Sequence, residues 1–159
     1  MISVLLVEDN ESDAFAIKRI LSKSLHQDYR VLCARNMIEA RALLKTQNQF
    51  DVILLDLNLP DTETERDTYQ AMRSINKNVP IVILTSFSDN NLAVETLDKG
   101  IEDYVLKSSI TRANGLLNEK IDYAIHRHRY YKNLIEGKDN EKEQLMNMIS
   151  GGYSASSSS

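Results

Sequence analysis

A single cysteine, Cys33, rules out an internal disulfide, and its place in an apparent strand reads as a small buried hydrophobe in a reducing compartment. No apolar run approaches the roughly 20 residues that a membrane-spanning helix needs, so no membrane role is expected. The start of the chain has no basic region, long apolar segment or cleavage site, which predicts a cytoplasmic protein. Basic charge is not in excess either. With 19 Lys and Arg against 23 Asp and Glu the net charge is -4, and no global positive field recruits nucleic acid directly. What is present is a hydrophobic content of 42% in 159 residues, enough for one packed core and an appendage.

The stretch that organises the chain is Phe50 to Pro60, an apolar run that ends abruptly on a carboxylate. Val52, Ile53, Leu54 and Leu55 show no polar alternation, as expected of a strand covered on both faces inside a parallel sheet. Asp56 follows at the strand's carboxyl end, where ligands bind in open α/β sheets. Other strands end similarly: Val4 to Val7 runs into Glu8 and Asp9, Ile81 to Leu84 into Thr85 and Ser86, and Asp103 to Leu106 into Lys107. A further strand is predicted from Tyr29 to Ala34.

Helical patterns fill the gaps. Asn10 to Asp13 supplies caps for a helix whose face is Ala14, Ile17, Ile20, Leu21 and Leu25. Asn36 with Glu39 caps a second, bearing Ala40, Leu43 and Leu44. The loop 61–67 is acidic and lacks glycine, and a third helix is predicted from about Thr68 to Ile75, with a weak stripe of Tyr69, Met72 and Ile75. Ser88 or Asp89 caps a fourth, ended by Gly100. The last helix begins between Thr111 and Leu116 and has no obvious stop before Gly137. Strands and helices in alternation predict an α/β fold: a five-stranded, doubly wound parallel sheet with a long carboxyl-terminal helix. The expected boundaries are a domain over 1–125, a helical extension over 126–150, and a flexible Ser-rich tail over 151–159.

If the strands are parallel, Glu8, Asp9 and Asp56 crowd together, which is costly unless a cation or a proton neutralises them. Oxygen-only ligands without His or Cys suit a hard ion such as Mg²⁺, and that combination suggests phosphoryl transfer. A carboxylate nucleophile needs no general base, so positioning and charge neutralisation become the catalytic problem. Lys107 can offer a point charge to phosphate oxygens, Thr85 a hydroxyl, and Leu57 and Ser86 their backbone amides.

In order and spacing, Leu6-Val7-Glu8-Asp9-Asn10, Asp56-Leu57-Asn58-Leu59-Pro60-Asp61, Ile83-Leu84-Thr85-Ser86 and Asp103-Tyr104-Val105-Leu106-Lys107 resemble the motifs of two-component response-regulator receiver domains, over about residues 1–125. The resemblance implies a CheY-like (flavodoxin-like) fold with Asp56 as phosphoacceptor. It implies that Mg²⁺ is held by Asp9, Asp56 and the Asn58 carbonyl, with Glu8 acting through a water. By the same resemblance Thr85 and Lys107 hold the phosphoryl group, and Tyr104 is the aromatic that swings inward when Thr85 is drawn to it. The implied donor is a phosphohistidine on a sensor histidine kinase or a histidine phosphotransfer protein.

The chain departs from the family pattern in three places: Thr62, Glu63 and Thr64 replace the usual glycine-bearing loop, Ser86 a small apolar residue, and Ser108 the usual proline after a cis bond. A cis bond before a non-proline costs ~2.5–4 kcal/mol, which leaves a trans peptide or a strained one. The leading expectation is a phosphorylation-dependent conformational switch, and two other classes compete with it. A phosphatase-like enzyme with an aspartyl-phosphate intermediate usually carries a second acid two residues after its nucleophile, where this chain has Asn58, so an enzyme is not expected. A pseudo-receiver used only for docking would not need the complete polar set.

Leu117, Ile121, Ala124, His128, Tyr131, Ile135, Leu145 and Ile149 fall on a four-three repeat interrupted by Lys138 and Lys142, and predict a parallel coiled coil that makes a homodimer. His126 and His128 point to different sides of that helix, so they are not read as a metal pair, and Arg127, Arg129 and Lys132 read as a solvated face.

Overall fold

A computed structural model of the 159-residue chain describes residues 1–47, 49–86 and 103–157, with side chains as far as 150. Five parallel strands, β1 (Ile2–Val7), β2 (Tyr29–Ala34), β3 (Val52–Asp56), β4 (Ile81–Thr85) and β5 (Asp103–Leu106), form one sheet in the order β2-β1-β3-β4-β5. The helices among the described residues are α1 (Glu11–Ser22), α2 (Met37–Thr46), α3 (Glu65–Ile75), α4 (Lys107–Arg112) and α5 (Leu116–Ser157). The helix predicted between Ser88 and Gly100 lies outside the described residues. By contacts the chain separates into two units, Met1–Ile125 and His126–Ser159.

In the first unit the central strands have no exposed face, as their unbroken apolar runs require: every residue of β3 is buried. One side of the sheet packs Leu5, Val7, Ile53, Leu55 and Ile83 against Met37, Ala40, Tyr69 and Met72 of α2 and α3. The other packs Leu6, Leu54, Val82 and Leu84 against Ile17 and Leu21 of α1, and Leu117, Ile121 and Ala124 of α5. Asp51 fixes the entry to β3, accepting the Ser3 N–H at 2.8 Å on Oδ2 while its own N–H donates to the Ser3 carbonyl at 2.8 Å. Register then sets Val7 beside Leu55, so Glu8 and Asp56 leave the sheet at the same level.

Several local expectations need correction. Helix α1 ends at Ser22, and Leu25, expected on its apolar face, is 93% exposed beyond it. Cys33 is half-buried in β2 and not fully enclosed. Helix α3 begins three residues earlier than predicted, because Thr64 and Asp67 form a capping box: the Asp67 N–H donates to Thr64 Oγ1 and the Thr64 N–H to Asp67 Oδ2, both at 3.1 Å. A short α4 precedes the last helix, and Gly115, at φ +81, makes the left-handed turn between them that a side chain would disfavour. The Lys107–Ser108 peptide is trans, as are all described peptide bonds.

The most consequential correction concerns the four-three repeat. Its first three members, Leu117, Ile121 and Ala124, are 0–1% exposed in the core of the first unit, so they cannot also face a partner helix. A four-three spacing over two turns is equally the stripe of an amphipathic helix packed on its own sheet. In the second unit the side chains from Arg129 to Ser150 are all exposed, including Tyr131, Ile135, Leu145 and Ile149.

This division generates a prediction. Ile121→Ala should lower the unfolding free energy by about 2–5 kcal/mol, as for other buried large-to-small changes. Ile135→Ala, at a side chain 61% exposed, should stay within about 0.5 kcal/mol at low protein concentration. Urea unfolding of both variants measures the difference, and equal costs would contradict the placement of Ile121.

Candidate functional site

Four of the residues singled out by sequence come together at the carboxyl edge of the sheet. Glu8 and Asp9 follow β1, Asp56 ends β3, and Lys107 follows β5 as the first residue of α4. Glu8, Asp9 and Asp56 each offer a carboxylate oxygen within 4.8 Å of the others, with Glu8 and Asp56 buried and Asp9 exposed. The Lys107 ammonium lies 2.6 Å from Glu8 Oε2, 3.0 Å from Asp56 Oδ2 and 3.0 Å from Asp13 Oδ2. The last two contacts are hydrogen bonds donated by Lys107, whereas Glu8 Oε2 is held by charge without hydrogen-bond alignment.

Burial raises the Glu8 carboxyl from 4.5 to about 7; the Lys107 ammonium pulls it down, and Asp56 beside it pushes it up again. For Lys107, burial disfavours the charged form, but Glu8, Asp13 and Asp56 outweigh it and raise its pKa. The ammonium therefore stays charged, and the neutral form of Glu8 is favoured more than that of an ordinary carboxyl.

Leu57 is buried directly after Asp56, and the Asn58 N–H donates to Asp56 Oδ1 at 2.9 Å, holding the carboxylate from the loop side. Thr85 ends β4 half-buried, with Ser86 exposed just beyond it, so both sit at the same edge of the sheet. Tyr104 stands on β5 with 36% of its surface exposed, paired in register with Ile83 two residues before Thr85.

The glycine-free loop is held without any left-handed residue. Asp61 reaches the amino end of α2, where Oδ1 accepts the Met37 N–H at 3.0 Å and Oδ2 the Ile38 N–H at 3.1 Å. The buried Thr68 hydroxyl contacts the Leu57 carbonyl at 2.7 Å and Thr62 Oγ1 at 2.6 Å, tying loop, strand exit and α3 together. Between these anchors opens a cleft of about 310 Å³, lined by Asp9 and by residues 57–60 and 62–64.

Sequence reasoning missed two acids here. Asp13 was read only as helix capping, although it stands four residues after Asp9 and so can turn toward the same edge. Asp61 was read as loop charge, and nothing local announces that it caps a helix 23 residues away.

An open cleft beside buried carboxylates and one ammonium, at the edge of a β2-β1-β3-β4-β5 parallel sheet, defines a CheY-like α/β domain. The chain belongs to the response regulator receiver domain family, whose model matches residues 4–118. It is 32% identical over 104 residues to the cell cycle transcriptional regulator CtrA of Caulobacter vibrioides, covering 65% of this chain and 43% of that one. To the KDP operon transcriptional regulatory protein KdpE of Escherichia coli it is 29% identical over 130 residues, 80% of this chain and 53% of the other. The chain spans between a quarter and about half of the length of such relatives. A solved amino-terminal domain of a response regulator/sensory box/GGDEF 3-domain protein from Carboxydothermus hydrogenoformans superposes with a TM-score of 0.64 at 25% identity, covering 84% of this chain and 98% of that chain. The receiver domain protein of Clostridium thermocellum gives 0.68 at 23%, covering 82% and 99%. Among the described residues no helix is long and apolar enough to cross a membrane.

A pH dependence follows from Glu8. The fold keeps a proton on Glu8 that the unfolded chain releases near pH 4.5, so the contribution of the neutral carboxyl is full below 4.5 and is lost as pH rises through about 7. In chelator-treated protein the unfolding free energy should therefore decline across that window, by at most about 1.4 kcal/mol per pH unit from this group. Glu8→Gln should flatten the decline. A wild-type curve equally flat there would show that Glu8 does not hold the proton.

Proposed function

We propose that this chain is the phosphorylation-dependent switch of a two-component pathway, accepting a phosphoryl group on Asp56. The observation that carries the reading is the buried Asp56 carboxylate at the end of the central strand, contacted by the Lys107 ammonium at 3.0 Å beside an open cleft. In the step proposed, an Asp56 oxygen attacks the phosphorus of a phosphohistidine on a sensor histidine kinase or a phosphotransfer protein. The new P–O bond forms as the P–N bond breaks, and the imidazole leaves with the electron pair and takes up a proton.

The clustered donors are all oxygen, with no His or Cys among them, which fits Mg²⁺. Asp9, Asp56 and the Asn58 carbonyl would hold it, with Glu8 acting through water; when bound it neutralises charge on the phosphoryl oxygens. Lys107 and Thr85 would hold the remaining oxygens, and the amides of Leu57 and Ser86 would donate to them. The pull on Thr85, followed by inward rotation of Tyr104, would carry the signal. Asn58, not an acid, stands two residues after Asp56, so the chain is proposed to relay the group and not to turn over small phosphate esters. The proposed setting is the cytoplasm, without direct nucleic-acid contact.

With Mg²⁺ and acetyl phosphate, intact mass should rise by one phosphoryl group. Asp56→Asn should abolish the increase, Asp9→Ala should reduce it strongly, and Asp61→Asn, whose carboxylate is engaged by α2, should retain it. Labelling that persists in Asp56→Asn would end the assignment.

The helical segment after Ile125 is proposed to pair with a second copy through His128, Tyr131, Ile135, Leu145 and Ile149. The support is that Tyr131, Ile135, Leu145 and Ile149 are exposed and keep the four-three spacing; Lys138 and Lys142 at seam positions would keep the pairing weak. Light scattering of the intact chain should give a dimer, and Tyr131→Asp with Ile135→Asp a monomer. A monomeric intact chain at high concentration, phosphorylated or not, would refute the pairing.

A further inference from the structure

We propose that Asp13 is a positioning residue for Lys107: it holds the ammonium on the α1 side of the site and competes for it with a phosphoryl group on Asp56. The proposal rests on the receiver reading above, and it adds a residue to which that reading gives no role.

A lysine ammonium has three N–H donors; Lys107 gives one to Asp13 and one to Asp56, each at 3.0 Å, while Glu8 at 2.6 Å faces it through charge without hydrogen-bond alignment. Two of these acids belong to the proposed chemistry, since Asp56 would carry the phosphoryl group and Glu8 would face the cation. Asp13 belongs to neither; it lies in the first turn of α1 and outside the carboxylate cluster.

Its availability has a local cause. At the third position of a helix an acid commonly returns to the amide of the N-cap residue, as Asp67 does to Thr64 at 3.1 Å in α3. In α1 the N-cap is Asn10, and its N–H donates to Glu8 Oε1 at 3.1 Å instead. Asp13 is thereby released from the capping box and reaches the ammonium of a residue 94 positions away. A donor given to Asp13 is not available to a phosphate oxygen. Because Asp13 is 41% exposed, water can replace Lys107 when the ammonium leaves, so the competition is finite.

The test measures the affinity of the Mg²⁺-loaded protein for beryllium trifluoride, which takes the place of a phosphoryl group on a carboxylate. Asp13→Ala and Asp13→Asn should each bind it about three- to tenfold more tightly than wild type, the size expected for one charge-assisted contact at a partly exposed acid. In a Lys107→Met background Asp13→Ala should change nothing, because the effect passes through the ammonium. Unchanged affinity in the single variants, or equal tightening without Lys107, would overturn the role of Asp13. Should Lys107→Met fail to fold, the ¹⁵N ammonium signal of Lys107 decides: its protection from solvent exchange should drop in Asp13→Ala, and undiminished protection overturns the proposal. A wild type that neither binds the mimic nor is labelled by acetyl phosphate would instead bring down the receiver reading itself.

Discussion

The site depends on one constraint: two buried carboxylates, Glu8 and Asp56, stand level at the ends of neighbouring parallel strands and must share one cation. Their closeness is imposed by the pairing of Val7 with Leu55, and a one-residue slip to relieve it would turn every side chain of β3 to the opposite face. With β3 buried throughout, that alternative is closed. Two uncompensated charges in such a place would cost several kcal/mol each, more than most single interactions in a marginally stable domain can offset. The Lys107 ammonium is one means of compensation, and the raised pKa of Glu8, about 7, which favours its neutral form, is a second. A divalent cation would be a third, which is why the donor set suits one.

The loop after Asp56 illustrates how a fold can dispense with glycine. Where a left-handed residue would otherwise turn the chain, side chains do the turning: Asp61 is tied to the α2 amides, Thr62 and Thr68 bridge to the Leu57 carbonyl, and Thr64 with Asp67 starts α3. Each anchor satisfies a backbone group that the turn would have left open. The result is a cleft wall fixed at both ends, with Glu63 as its exposed acid between two anchors.

The sheet and the acidic edge were legible because both are written in short-range pattern. Four-residue apolar runs ending on polar residues announce parallel strands and place Glu8, Asp9, Asp56 and Lys107 without further information. The early start of α3 was equally local, in the Thr64-to-Asp67 spacing, but was hidden by reading 61–67 as a charged loop. The contacts of Asp61 and Asp13 were not legible. They join residues 23 to 94 positions apart, and an exposed acid in a first helical turn is adequately explained by the helix alone. The repeat through Leu117, Ile121 and Ala124 failed for a different reason: the 3.5 and 3.6 periods diverge by only about 20° per heptad, so two turns cannot distinguish a partner helix from the protein's own sheet.

Lys107 also has a mechanical position that follows from its neighbours. It ends no strand and caps no helix by side chain; it is the junction itself, between a four-residue edge strand and a six-residue helix that begins without a side-chain cap. Edge strands of this length contribute few ladder bonds, and short helices lean on tertiary contacts more than on their own propensity. Here those contacts include Ile110, buried in the core, and Lys120 of α5, whose ammonium lies 3.3 Å from Asp103 at the start of β5. A force on the Lys107 ammonium therefore acts on a short strand and a short helix, whereas the same force on Asp56 would act on a strand buried throughout. The proposed chemistry is thus anchored in β3, while its counter-charge comes from the short junction of β5 and α4.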